Sequence, residues 1–245
     1  MDDRDTNGAR GPALGRFEAA VSRLFTRAAS VSEAVTVAEG FRRIHLAGPD
    51  LRGVTWVPGQ KLQIMLGGWA ARTFTPMSWD AEAGSTELLI YTHGAGPGAV
   101  WAEQLRGGEP CLAFGPRRSL ELSALTGQAL LFGDETSIGL ARALRGAGFG
   151  AARVVLEVTS SAAAAAALEA VGVNGVRLVQ RRPDDAHLQD LEAELETWAG
   201  GLGSCVLTGK AGSIAALQRV LRRLGVARGR VLSKAYWAPG KRGLD

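Results

Sequence analysis

Apolar residues recur with two different periods along this chain, and the period changes twice. From Leu14 to Ala28, "LGRFEAAVSRLFTRA", they fall at helical spacing: Leu14, Phe17, Val21, Leu24, Phe25. That pattern predicts a basic amphipathic helix, either packed on the domain that follows or facing a membrane surface or a partner. Residues 1–12 ahead of it are polar and glycine-containing and read as disordered. The period then shortens to two. "EAVTVAE", "FRRIHLAG", "KLQIMLG" and "TELLIYTHG" are short alternating runs separated by glycine, proline and acidic turns. Such runs predict an antiparallel barrel or sandwich, ending near "PCLAFGPRRSLEL", Pro110 to Leu122.

After Gly127 strand and helix patterns alternate. "QALLFGD", "RVVLEVTS", "GVRLVQRR" and "SCVLTGKA" are apolar runs, each followed by a helical segment, and "RVLSKAYWAPG" closes the series. That alternation predicts a parallel sheet with helices on both faces. The run of alanines from Ala162 to Ala167 reads as a tightly packed helix, since alanine is the best helix former. The expected organisation is an extension over residues 1–28, a β domain over 29–124 and an α/β domain over 125–245.

Composition narrows the function classes. An apolar share of 46% is enough for sizeable cores. The formal net charge of +4 suits an anionic small ligand. No dense basic tract is interleaved with aromatics, so nucleic acid is not the expected partner. The two cysteines, Cys111 and Cys205, lie far apart and outside any C-x-x-C pair, and there are three histidines. No protein metal site is expected from that inventory. Both thiols are expected in strand cores, in a reducing compartment. The N-terminus has no basic-then-apolar leader, and no apolar run approaches a membrane span, so a soluble cytoplasmic protein is expected.

Four stretches carry chemistry. In "RTFT", Arg72 and Phe74 share one face of a strand and Thr73 and Thr75 the other. A guanidinium fork holds phosphate and an aromatic face stacks on a planar ring, although an ordinary strand with one surface arginine reads the same way. "YTHGAGPGAVWAEQL" runs from a strand through His93, Gly94, Gly96, Pro97 and Gly98 into a helix. Backbone amides at such a helix start favour an anion. "LLFGDETS" ends the first α/β strand at Gly133 and caps the next helix with Asp134, Glu135, Thr136 and Ser137, at the strand end where open α/β sheets bind ligands. "SKAYWAPGKRG" places Tyr236 and Trp237 among Lys234, Lys241 and Arg242.

Taken in order, "RTFTPMSWD", "THGAGPGAVWAEQLRGGEPCLAFGPR", "FGDETS" and "KAYWAPGKRG" resemble the siderophore-interacting protein family, over roughly residues 30 to 243. This is the ferric-siderophore reductase branch of the ferredoxin–NADP reductase-like superfamily. The resemblance implies an antiparallel FAD-binding β-barrel followed by a parallel-sheet NAD(P)H-binding α/β domain. It implies a cytoplasmic enzyme that passes a hydride from NADH or NADPH to FAD, then single electrons to Fe(III) held by a siderophore. It places Arg72 on the FAD pyrophosphate, Phe74 on the isoalloxazine or ribityl chain, and Thr75 near the flavin N5 edge. Thr73, His93, Gly94, Gly96, Pro97 and Gly98 complete that site. Asp134, Glu135, Thr136, Tyr236 and Trp237 lie near the flavin or the nicotinamide. Lys61, Lys234 and Arg242 are candidates for drawing in an anionic siderophore. No side chain is required as acid or base.

The chain departs from the family pattern at Phe74, which replaces a tyrosine, and at Lys210 in "TGKA", which replaces an acid. Rival readings are a flavin reductase serving a ferredoxin, a quinone or an iron chelate, and a siderophore carrier or relative without flavin. For the donor, Glu157 on a ribose hydroxyl would favour NADH, whereas Arg177, Arg181 and Arg182 would meet a 2′-phosphate.

Overall fold

The computed structural model describes residues 26–67, 70–94 and 96–241. Seven strands form the first sheet: β1 Arg27–Ala38, β2 Phe41–Ala47, β3 Lys61–Gly67, β4 Ala70–Phe74, β5 Ser78–Asp80, β6 Ser85–Tyr91 and β7 Pro110–Arg117. Their order is β4-β3-β7-β1-β2-β6-β5, with antiparallel pairing between neighbours. Alternate residues point inward, and Val31, Ile44, Leu46, Leu62, Ile64, Leu88, Ile90 and Ala113 meet in one core. Helix α1, Pro97–Gln104, adds Ala102 to it.

Most of the helix expected over 14–28 lies outside the described residues. Its last residues, Arg27 and Ala28, are strand instead. Arg27 pairs with Ala113 in β7 and donates from Nε to the Gly115 carbonyl at 2.8 Å, so long-range pairing overrides local periodicity. The three-residue strand β5 was not anticipated, because "SWD" is too short to show a period.

The second sheet holds β8 Ala129–Asp134, β9 Arg153–Val158, β10 Val176–Gln180, β11 Ser204–Lys210 and β12 Val231–Trp237. All are parallel, in the order β10-β9-β8-β11-β12. The order reverses between β8 and β11, and that switch point is where such sheets open a crevice for ligands. The connecting helices are α2 Ile138–Gly146, α3 Ser161–Ala170, α4 Leu188–Trp198 and α5 Ala211–Arg223. Period-two alternation divides the sheet's apolar residues between two layers. Leu131, Val154, Leu156 and Val206 pack toward α2 and α3, whereas Leu130, Phe132, Val155, Cys205 and Leu207 pack toward α4 and α5.

The first layer also takes in Phe41 and Leu89 from the antiparallel sheet and Met77 from the turn before β5. The two sheets therefore share one apolar interface. The alanine run is helix α3, with Ala164 and Ala167 fully buried; small side chains let it approach both its own sheet and β1. Helix α4 starts only at Leu188, because Asp184 and Asp185 ahead of it adopt left-handed φ of 54° and 56°. No described helix is long and apolar enough to cross a membrane.

Cys111 and Cys205 are free and buried, and burial pushes both thiols up to about 12. Burial also pushes the Tyr236 phenol up to about 12. These groups stay protonated in the fold after the unfolded chain has ionised. Their contribution is fully present below the unfolded pKa and is lost as pH rises through the folded one. Urea midpoints are expected to fall from about pH 9 upward, each thiol contributing a slope of at most about 1.4 kcal/mol per pH unit. A C111A/C205A variant should show a shallower alkaline slope; an unchanged slope would assign the loss to other groups.

Candidate functional site

The antiparallel sheet supplies one group of candidate residues. Arg72 and Phe74 alternate on β4, and both face the first turn of α1. A Cβ built on Gly98 would stand 3.2 Å from Arg72 Cγ and 3.7 Å from Phe74 Cζ. Glycine there lets the helix backbone approach both side chains. Pro97 opens the helix after Gly96, and no side chain caps it. The amides of the first turn lack intrahelical acceptors and so favour an anion. Arg72 Nη1 donates to the Ala71 carbonyl at 2.7 Å. Phe74 stacks on Trp101 with ring centroids 6.0 Å apart. Trp101 was missed from sequence, where it reads only as an apolar helical position.

The parallel sheet supplies the other group, at the switch point. Strand β8 runs one residue past the expected end at Gly133, and Asp134 caps a short 3-10 turn, Glu135–Ser137. Asp134 Oδ1 accepts from the Thr136 amide at 2.9 Å and from the Thr136 hydroxyl, and Oδ2 accepts from Trp237 Nε1 at 2.7 Å. Asp134 is fully buried. Burial raises its pKa, while the Thr136 and Trp237 bonds work against that rise.

Arg181 supplies the nearest positive charge, with Nη2 2.9 Å from Glu135 Oε2 and 3.7 Å from Asp134 Oδ2. Its guanidinium also lies 5.8 Å from the Trp237 ring centroid. Desolvation pulls its pKa down, but Glu135, Glu157 and Asp134 outweigh that and hold it raised. Its buried Nε makes no hydrogen bond. Gly209 faces the same carboxylate from β11, at φ +95°.

Aromatic contacts bring the two sheets together. Tyr236 OH lies 3.3 Å from Thr75 Oγ1, joining β12 to the end of β4. Phe41, Tyr91 and His93 form successive ring contacts at 4.9 and 4.6 Å, and the His93 ring is 6.2 Å from that of Trp237. The residues singled out from sequence thus meet as two groups. Arg72, Phe74 and Gly98 cluster at α1, whereas Thr75, His93, Asp134, Glu135, Thr136, Tyr236 and Trp237 cluster where the sheets face each other. Thr73 alternates to the other face of β4, opposite Gln63. Gly94 and Gly96 are exposed in the connecting turn.

Lys61 begins β3 opposite Arg117, beside the residue that pairs with Phe74. Lys234 lies opposite Thr208. Arg242 lies outside the described residues. Glu157 does not offer itself to a ribose: it is fully buried, with His187 Nε2 at 2.8 Å and Ser213 Oγ at 2.8 and 2.9 Å. Arg177 is paired with Glu194, Arg181 is held by the carboxylates, and exposed Arg182 pairs with Asp190 at 2.6 Å. Gly209, His187 and Ser213 were not singled out from sequence. Only the glycine at the end of an apolar strand carried a signal.

Residues 126–240 match the family model described as siderophore-interacting protein. Among solved structures, the chain is similar to the siderophore-interacting protein SipS from Aeromonas hydrophila, with 22% identity and a TM-score of 0.71 over 89% of this chain and 93% of that one. A siderophore utilization protein from T. fusca aligns at 19% identity and a TM-score of 0.67, over 90% and 95% of the two chains. Phthalate dioxygenase reductase, described as modular and transferring electrons from pyridine nucleotides to [2Fe-2S], aligns at 14% identity and a TM-score of 0.73 over 88% and 70%. No curated protein sequence matches the chain. The two-domain architecture is that of the ferredoxin reductase-like fold.

Proposed function

We propose, from the match of residues 126–240 to the siderophore-interacting protein family model, that this chain is a cytoplasmic, flavin-dependent NAD(P)H oxidoreductase that reduces Fe(III) held by a siderophore. The observation that carries the reading is the convergence of Arg72 and Phe74 on the Gly98 backbone at the start of α1. That set combines a guanidinium, helix-start amides and an aromatic face. It suits a ligand bearing both a pyrophosphate and a planar ring system, as FAD does.

In this reading Arg72 and the first-turn amides hold the pyrophosphate, and Phe74, backed by Trp101, flanks the planar group. Thr75, oriented by Tyr236, offers its hydroxyl to the ring edge. Gly96, Pro97 and Gly98 close the phosphate side, and His93 stands beside Trp237. Trp237, fixed by its bond to Asp134, limits access from the α/β domain, where the switch point takes the dinucleotide. A bound flavin accepts electrons in pairs and releases them singly, the conversion needed between a nicotinamide and iron. One NAD(P)H thus supplies two Fe(III) ions. Fe(II) is a softer partner for hard oxygen chelators, so reduction releases it. Lys61 and Lys234 attract an anionic siderophore; Arg242 is their sequence-level companion.

The test is the visible absorption spectrum of the purified protein before and after anaerobic NADPH. A flavin spectrum that bleaches supports the reading. A colourless protein that gains no flavin on incubation with FAD would promote a siderophore-binding relative without catalysis. A second acceptor class is supported by the likeness to phthalate dioxygenase reductase. Faster turnover with a ferredoxin, a quinone or a simple iron chelate than with ferric siderophores would favour it.

A further inference from the structure

The segment from Arg181 to His187 leaves β10 and leads into α4, and on the way its Asp185 meets Lys210 at the end of β11, three strands away in the sheet order. Its two ends are anchored in the protein. At one end the Arg181 amide donates to the Val158 carbonyl at 2.8 Å, and its side chain bonds Glu135 and Thr159. At the other, fully buried His187 lies 2.8 Å from Glu157. The middle is different. Pro183 and Asp184 are exposed, and Asp184 and Asp185 are consecutive non-glycine residues in the left-handed region. Such backbone persists where a contact holds it. Here that contact is Lys210, whose Nζ donates to Asp185 Oδ1 at 2.6 Å and Oδ2 at 2.8 Å.

Lys210 is the last residue of β11 and immediately precedes α5, on one side of the switch-point crevice. Its side chain is only 15% exposed, against 40% for Asp185. A cation at that place would attract the pyrophosphate of a dinucleotide, but Asp185 neutralises it and holds the segment across the crevice mouth. Asp184 adds further negative charge on the exposed side.

We propose that residues 181–187 form a strap over the dinucleotide crevice, latched by the Lys210–Asp185 pair. The Lys210 ammonium exchanges the Asp185 carboxylate for the donor's pyrophosphate when NAD(P)H binds. The inference rests on the reading of this crevice as the NAD(P)H site. It makes Lys210 a binding residue and Asp185 its built-in competitor, so the latch lowers affinity for any dinucleotide in proportion to its own strength.

The experiment titrates NADH and NADPH separately, under anaerobic conditions, into wild-type, D185N, D185E and D185N/K210M proteins whose flavin has first been reduced with dithionite, following nucleotide fluorescence at two salt concentrations. D185N is expected to bind about five- to tenfold more tightly than wild type, the gain of freeing one partly buried ion pair. Its salt dependence should also be steeper. D185E should restore wild-type affinity, and D185N/K210M should lose the gain. Amide exchange at residues 184–186 should rise in D185N and in nucleotide-bound wild type. Equal affinities for wild type and D185N, with ordinary dinucleotide binding in both, would overturn the latch and leave the reductase reading standing. Flavin retention with no dinucleotide binding in any variant would overturn the crevice assignment and the latch with it.

Discussion

A Gly209→Ala protein is expected to lose about 3 kcal/mol or more of stability and to lose the ordered Trp237 contact. Gly209 sits at φ +95°, and a Cβ there would stand 2.5 Å from Asp134 Cγ and closer still to Oδ2. Two costs combine. The left-handed backbone disfavours any L side chain by about 1–2 kcal/mol. The added carbon also drives the fully buried Asp134 carboxylate from its position, breaking its bond with Trp237 Nε1; hydrogen bonds to charged groups contribute about 1.5–3 kcal/mol. Gly172 provides the control. It has φ +67° and nothing within 4 Å of the added carbon, so Gly172→Ala should carry the backbone cost alone. Denaturant melts of both variants, with tryptophan fluorescence as a second probe, separate the two costs. Equal destabilisation would mean that the carboxylate gives way freely and that Asp134 is not held as the geometry implies.

Arg72→Ala is expected to weaken flavin retention about ten- to a hundredfold while leaving the melting curve of the flavin-free protein close to wild type. Arg72 is only half-buried, and its fold contact is a bond to the carbonyl of the preceding residue, so the fold depends little on it. A phosphate held by this guanidinium would gain charge-assisted bonds of about 1.5–3 kcal/mol, which sets the size of the loss. Arg118→Ala is the matched control, because Arg118 is exposed and paired with Glu121 away from β4. The measurement is flavin content after gel filtration, followed by titration of the apoprotein with FAD. An R72A protein retaining stoichiometric FAD as tightly as wild type would remove Arg72 from the site.

The sequence by itself determined the order and kind of nearly every described element. β3 matches its apolar run residue for residue, and β8 to β12 fall where the alternation of strand and helix places them. The reason is local: periods of 2 and 3.6 are written directly in the spacing of apolar residues. The "RTFT" strand and the turn into α1 were legible for the same reason, since both are short contiguous stretches. Pairing across the chain was not legible. Arg27 and Ala28 left their helical pattern because β7 offered them backbone partners. Asp184 and Asp185 left theirs in a turn where Lys210, distant in sequence, binds Asp185. Burial also reassigned charges that looked available: Glu157 is consumed by His187 and Ser213, and Arg181 by a set of carboxylates from two other strand ends. The fate of a charged side chain depends on which groups the topology brings within a few ångströms of it. At the crevice those groups come from β8, β9, β10, β11 and β12, so only the tertiary structure decided what Glu157, Arg181 and Lys210 do.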